Sequence, residues 1–365
     1  MKICYLANPN IAHTLRWSGF FASLSYEVHL IGEHKPARKP APGVVFHDLT
    51  AYTNLRKVRY ALWPWIIRRI IREIQPDILH SIGIASAGWL GAAASFHPFI
   101  ATSLGSDLLL LHRRSRLHRQ LSLWVLNKAD TVVCVSKQLT RQAIALGVES
   151  DKLETIYPGI DTGIFAPLDD RKAVRRKLGL GPEPVVLSIR AMNWIYNALD
   201  IAQAIPLVLD KAPQARFLIF TYNQDPALFS QFKAQITESG CEQAVTYIPE
   251  LANDRTIAQY YQAADIAVSV PSSDGTPSSV LESMACKTAL VLSDLPTLHD
   301  WARDEREALF VPKGDVQAIA AAILRLIKDK KLRQELAQNA AQKVRQEAGV
   351  ETWMGKMDQI YRRFA

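Results

Sequence analysis

Cysteine is scarce in this chain and nowhere paired. Cys4, Cys134, Cys241 and Cys286 lie far apart and form no CxxC, a spacing that excludes a disulfide framework or a zinc knuckle and suits a reducing cytosol. Long apolar runs are also missing. The opening stretch, Met1 to Asn10, is too short for a signal h-region and reads as a buried first strand. The longest weakly apolar segment, Ile82 to Gly105, is broken by His97 and Pro98 and reads as a helix followed by a strand, not as a membrane span. No DxD triplet occurs and no His/Asp cluster has metal-ligand spacing, so no metal is expected. Repeats of solenoid period and low-complexity tracts are absent too. Acidic residues are in deficit: 35 against 43 lysines and arginines, for a net charge of +8. Such a balance favours an anionic partner, either a phosphorylated substrate or a membrane surface; nucleic acid is not expected, because no recognition motif accompanies the charge.

What is present describes an ordinary globular protein. The 365 residues are 48% apolar and 21% charged, and that length favours two domains. Short apolar runs alternate with amphipathic stretches. The expected strands are 2–6, 27–31, 78–80, 99–103, 131–135 and 152–156, then 185–189, 216–220, 245–248, 266–270, 289–292 and 308–311. Helical periodicity marks 66–74, 256–263 and 317–327 among the stretches between them. Continuous apolar strands separated by helices imply parallel sheets covered on both faces. Residues 157–170 interrupt the pattern with Pro158, Gly159, Asp161, Gly163 and Pro167, the turn chemistry expected of a linker between two βα series.

The most informative segment runs from Asp265 to Lys287. A strand ends at Val270, small polar residues follow, and an apolar helix starts near Pro277. Gly275 lets a ligand approach the backbone, Pro277 suits the first helical position, and the free amides of Gly275, Thr276, Ser278 and Ser279 with the helix dipole make an anion site. Glu282, further along the helix, has a carboxylate able to accept two vicinal hydroxyls such as a ribose offers. A structural alternative is equally open on this local pattern: Ser279 and Glu282 fit a capping box, and Asp274 fits a turn.

On these residues the chain resembles the retaining GT-B glycosyltransferases of family 4. Asp274 and Glu282 stand at the two carboxylate positions of that family's donor motif, with seven residues between them, and Ser283-Met284-Ala285-Cys286 continues the match. Further points of likeness are Ala12-His13-Thr14-Leu15-Arg16-Trp17, Pro158-Gly159-Ile160-Asp161 with Phe165, and Leu309 through Asp315. The resemblance implies an α/β fold of two Rossmann-like domains facing each other across a cleft. Residues 1–164 would form the acceptor-side domain, residues 165–349 the donor-binding domain, and residues 350–365 would cross back to the first. It also implies roles. Glu282 holds the donor ribose, Asp274 meets the transferred sugar, and the amides from Gly275 to Ser279 contact sugar and diphosphate. Arg190 grips the diphosphate with a planar fork, and the backbone near Leu251 seats the base.

Several positions depart from the family pattern. Asp274 replaces a glutamate. The lysine usual a turn after Arg190 is missing, and Tyr196 stands near its place, able to hydrogen-bond a phosphate but bringing no charge. Lys287 replaces a helix-ending glycine, which implies a strained left-handed residue; it could otherwise supply the missing charge. Leu104 and Ile82 occupy positions where the family often has histidine. On the acceptor side the candidates are Asp107, read either as a polar group at the acceptor or as an N-cap, and His13 in the first βα loop. His80 is either a site residue or a packing histidine.

Two basic stretches remain. In Arg56, Lys57, Arg59, Arg68, Arg69 and Arg72 with Trp63 and Trp65, the neighbouring isoleucines are expected to face the core. Arg113, Arg114, Arg116 and Arg119, with His112 and His118, are expected to meet an anionic membrane. The implied activity is transfer of a hexose from a nucleoside diphosphate, UDP foremost, to a glycan or lipid-linked acceptor in cell-envelope polysaccharide synthesis. The expected location is the cytoplasm, with peripheral contact at the inner face of the membrane. Rival readings are a related epimerase or phosphorylase, and a non-catalytic sugar-nucleotide binder.

Overall fold

The computed structural model describes residues 1–52, 59–110, 114–249 and 253–364. The chain divides into two compact units: Met1–Pro158 with Glu351–Ala365, and Gly159–Val350. The division falls inside the turn-rich stretch after residue 157.

The first unit is built on a parallel sheet ordered β3-β2-β1-β4-β5-β6-β7. Its strands are β1 (Lys2–Ala7), β2 (Glu27–Gly32), β3 (Val44–Asp48), β4 (Ile78–Ile82), β5 (Phe99–Ser103), β6 (Thr131–Cys134) and β7 (Leu153–Thr155). Every residue of β4, β5 and β6 is buried, as expected for central parallel strands with helices on both faces. The sequence reading missed β3. It is an edge strand whose residues are only partly covered, and Val45 is 49% exposed, so it lacks the continuous apolar run that marks the inner strands.

The helix Val350–Arg362 belongs to this unit and buries Met354, Met357, Ile360 and Tyr361. That spacing places one apolar stripe on the core. A buried polar chain completes the docking: the Tyr361 hydroxyl lies 3.0 Å from that of Tyr5 and 2.6 Å from His80 Nδ1, while His80 Nε2 lies 2.6 Å from Thr102 Oγ1. Burial lowers the His80 pKa from 6.5 to about 3, so the ring is neutral. His80 is therefore a satisfied packing histidine.

The second unit holds β8 (Val185–Ser188), β9 (Arg216–Phe220), β10 (Val245–Ile248), β11 (Ile266–Ser269), β12 (Ala289–Ser293) and β13 (Leu309–Val311). Its order is β10-β9-β8-β11-β12-β13, again all parallel. From β8 the chain moves outward to β9 and β10, then returns to add β11 on the other side. Successive crossovers therefore diverge at the β8/β11 pair, and parallel sheets open a ligand crevice beyond the carboxyl ends of such strands. Asp265 fixes the opposite end of that pair. Its backbone amide donates to the Val185 carbonyl, and its carboxylate accepts from the Val185 amide.

The expected strands of both units all appear, with ends shifted by a residue or two. Both units are Rossmann-like, as the α/β reading required. All four cysteines are buried and free of disulfides. Burial pushes the Cys4 and Cys134 thiols up to about 12, which disables them as nucleophiles near neutral pH.

Candidate functional site

Arg190 leaves the carboxyl end of β8, and Asp274 lies in the loop that leaves the carboxyl end of β11. Because the two strands are neighbours, the side chains meet: Arg190 Nη2 is 2.7 Å from Asp274 Oδ2. The other fork nitrogen, Nη1, donates to Ser279 Oγ at 2.7 Å. Burial works to lower the guanidinium pKa, but the Asp274 carboxylate, with Tyr196 and Tyr222 nearby, outweighs it and holds the group above its ordinary value. The arginine is thus charged, nearly buried and held at two points.

The helix Ser278–Ala285 begins here. Its N-cap is Pro277, with φ −75° and ψ 110°, and no side chain caps it. Sequence reasoning put the proline one position further in. The Ser278 and Ser279 amides have no hydrogen-bond partner among the described residues, as expected of a helix start awaiting an acceptor. The same spot gathers three buried side-chain atoms without a hydrogen-bond partner: Arg190 Nε, Asp274 Oδ2 and Ser278 Oγ. Asp274 Oδ2 touches Arg190 as an ion pair, yet the contact lacks the direction of a hydrogen bond. Asp274 Oδ1 accepts from the Gly275 amide at 2.9 Å. Unsatisfied buried groups normally cost about 1–3 kcal/mol each, so their clustering marks a place built for a polar ligand.

Glu282 is 4% exposed and its Oε2 accepts from the Tyr261 hydroxyl at 3.1 Å. The capping-box alternative fails on geometry. It needs Ser279 as the N-cap, but the helix starts before Ser279, whose hydroxyl instead accepts from Arg190.

Tyr196 ends a single 3-10 turn, Trp194–Tyr196, and its ring lies under the Arg190 guanidinium at 4.2 Å. It packs on the arginine and supplies no replacement charge. Next to it, Asn197 adopts φ 51°, donates to the Val270 carbonyl at 2.9 Å and accepts from Ser272 Oγ at 2.8 Å. These bonds tie the loop after β8 to the loop after β11. Asn197, Ser272 and Tyr261 were missed by sequence reasoning, since no local spacing connects them to Asp274. Lys287 stands at the far end of the helix from Arg190, so it does not stand in for the absent lysine. Its φ of 60° confirms the left-handed position. Leu251 lies outside the described residues.

In the first unit Asp107 follows β5 and borders a cavity of about 410 Å³ with Ala85, Ser106, Leu110 and Arg114. Its carboxylate accepts from the amides of Ile84, Leu104, Gly105 and Leu108 and from the Ser103 hydroxyl. Asp107 is thereby a staple joining the loops after β4 and β5, and its oxygens are too engaged to act as a free base. It is not an N-cap either, because Gly105 caps that short helix. His13 lies in the first turn of the helix Ala12–Ser23, its ring 6.2 Å from that of Trp17.

Arg114, Arg116 and Arg119 are exposed, with Leu117 at 61% beside them; Arg113 is outside the described residues. On the helix Arg59–Ile74, Ile67, Ile70, Ile71 and Ile74 face the core while Arg69 and Arg72 face solvent. Among the described residues no helix is long and apolar enough to cross a membrane.

Two Rossmann-like units, each built on a parallel sheet, the second carrying a nearly buried arginine against an amide-rich helix start, are features of the GT-B class. Comparison with known proteins agrees. The family described as Glycosyl transferase 4-like matches residues 2–136, and Glycosyl transferases group 1 matches residues 170–343. This chain belongs to the GT-B glycosyltransferases of family 4.

A D-inositol 3-phosphate glycosyltransferase of Acidothermus cellulolyticus is 30% identical over 230 residues, which cover 59% of this chain and 51% of that protein. The match thus spans about half the length of that relative. An N,N'-diacetylbacillosaminyl-diphospho-undecaprenol alpha-1,3-N-acetylgalactosaminyltransferase of Campylobacter jejuni is 27% identical over 292 residues, 76% of this chain and 74% of that one. Among solved structures, Anabaena HepE in complex with UDP-glucose superposes with a TM-score of 0.86 at 18% identity, covering 100% of both chains. Sucrose-phosphate synthase from Thermosynechococcus elongatus gives 0.85 at 19% identity, covering 100% of this chain and 98% of the other.

Proposed function

We propose that this chain transfers a hexose from a nucleoside diphosphate, with UDP as carrier, to a hydroxyl of a glycan or lipid-linked acceptor, with retention at the anomeric carbon. The observation that carries the proposal is the Arg190 fork, buried and charged at the unpaired amides of Ser278 and Ser279. Arg190 and the amides are proposed to donate to the oxygens of a diphosphate, and the helix dipole would favour its charge. Glu282, oriented by Tyr261, is proposed to accept the two ribose hydroxyls. Asp274, held by Arg190 and the Gly275 amide, is proposed to meet hydroxyls of the transferred sugar.

The chemistry follows from that placement. As the bond between the anomeric carbon and the diphosphate oxygen breaks, negative charge grows on the departing group. Fixed donors already aimed at that charge stabilise it without reorganising. The acceptor oxygen then bonds to the same face of the sugar carbon and loses its proton to the departing phosphate or to solvent. Arg190 and the helix start are proposed to meet that charge, with no metal expected. The name of the Campylobacter relative includes a lipid diphosphate acceptor, which supports a lipid-linked acceptor and a role in cell-envelope polysaccharide assembly. Exposed Arg114, Arg116 and Arg119 around Leu117 support peripheral contact with an anionic membrane.

Product analysis tests the reading. Incubation with a UDP-hexose and a lipid-diphosphate-linked sugar should release UDP and form one new glycoside. Conversion of the sugar nucleotide without any acceptor, by epimerisation or hydrolysis, would overturn the transferase reading.

A further inference from the structure

The second unit has a cavity of about 370 Å³ at the end of its sheet away from Arg190. The cavity borders Ala264 and Asp265, which enter β11, and Lys287, which precedes β12. The strands are parallel and Arg190 lies beyond their carboxyl ends, so this is a separate place on the same unit.

Its lining is cationic. Arg171, Lys287, Lys330 and Arg333 border it against one carboxylate, Asp265. That carboxylate is already committed, to Arg171 at 2.9 Å, Arg175 at 3.3 Å and Arg333 at 3.9 Å. Lys287 and Lys330 have no ion-pair partner among the described residues. Arg171 spends Nε and Nη2 on the Gln262 and Ala263 carbonyls and on Asp265, leaving Nη1 uncommitted. Arg333 is anchored in the same way, its Nη1 donating to the Leu326 carbonyl at 2.6 Å. Both guanidiniums are therefore held in place before any ligand arrives, which lowers the ordering cost of binding.

Two features are unfavourable for the local helix structure by themselves. Lys330, Arg333, Gln334 and Ala337 share one face of the helix Lys330–Glu347, and this puts two cations in a first turn, where the helix dipole disfavours them. Lys287 is the stranger of the two. Its amide bonds to the Met284 carbonyl and the next amide, Thr288, to Ser283, a Schellman ending whose left-handed residue is ordinarily glycine. A lysine there is strained, yet its side chain reaches the cavity. Strain retained at a ligand-lining position points to function.

We propose that this cavity is a second anion site, taking a phosphate-bearing small molecule distinct from the sugar donor. The volume lies within the range of small-ligand pockets, about 300–1,000 Å³, and paired guanidinium and ammonium groups suit phosphate oxygens. Calorimetric titration with inorganic pyrophosphate tests it on three proteins: the unaltered chain, the double variant Lys287→Gly with Lys330→Ser, and Arg190→Lys. Both lysines are exposed and glycine suits position 287, so the double variant should fold.

The expected result is a binding event weakened by about tenfold or more in the double variant, the loss of charge-assisted bonds, and retained in Arg190→Lys. Superimposable titrations of the unaltered chain and the double variant would overturn the proposal. So would complete loss of binding in Arg190→Lys.

Discussion

The Arg190 guanidinium lies between the Asp274 carboxylate, 2.7 Å from its Nη2, and the Tyr196 ring, 4.2 Å from its centre. The Asp274 contact joins the loops that leave two adjacent strands, and it faces the open start of a helix. A buried ion pair is a poor device for stability, since desolvation offsets most of the attraction. It is a good device for holding a cation still where an anion must arrive.

Arg190→Lys keeps the charge and loses the fork. Removing one preorganised donor to a developing anion typically costs 100- to 1,000-fold in turnover, about 2.7–4 kcal/mol. Steady-state kinetics with the donor that proves active should show kcat falling by roughly that factor, while thermal unfolding stays near that of the unaltered protein.

Glu282→Gln separates ribose binding from helix architecture. A lost charge-assisted bond is worth about 1.5–3 kcal/mol, so the Kd for the nucleoside diphosphate should rise roughly 10- to 100-fold. Calorimetry reads this directly. An unchanged Kd alongside a lowered Tm would restore a purely structural role for Glu282.

Much of this was legible in the sequence, for identifiable reasons. Inner parallel strands are buried on both faces, so β4, β5, β8 and β11 appear as plain apolar runs. The edge strand β3 carries no such signature and was passed over. Asp274, Ser279 and Glu282 stand in one local segment, which made the helix start visible; the contact with Arg190 required knowing that β8 and β11 are neighbours. The capping box and the helix start share one sequence signature, and only the N-cap position separated them. Asp107 was legible only as an acceptor-side polar group or an N-cap, because four of the five groups bonded to it are backbone amides, which no residue type announces.

Lys287→Gly relieves a lysine held at φ 60°. A non-glycine residue in the left-handed region costs about 1–2 kcal/mol, part of which is returned through glycine's greater freedom in the unfolded chain. Denaturant unfolding of the variant should show a gain of about 1 kcal/mol. A loss would mean that the Lys287 side chain stabilises the fold through its own contacts.

His80 sets a pH dependence for the first unit. Its folded pKa, about 3, lies below its ordinary value of 6.5. Between those values the unfolded chain binds the extra proton. The stabilisation is therefore fully present above about pH 6.5 and is lost as pH falls toward 3, with a slope of up to about 1.4 kcal/mol per pH unit. The stability advantage of the unaltered chain over His80→Leu should accordingly shrink from pH 7 to pH 4.5. A constant difference would contradict a buried neutral histidine.

The central claim is that the helix start beside Arg190 binds a nucleoside diphosphate sugar. A thermal-shift screen of UDP-, GDP-, ADP- and CMP-sugars against the unaltered chain and Glu282→Gln tests it most directly, because a ligand specific to the native state raises Tm by linkage. The account predicts a saturable rise with a diphosphate sugar, UDP-hexoses foremost, that is largely abolished in Glu282→Gln. No shift with any of the four classes, or an equal shift in the variant, would contradict it.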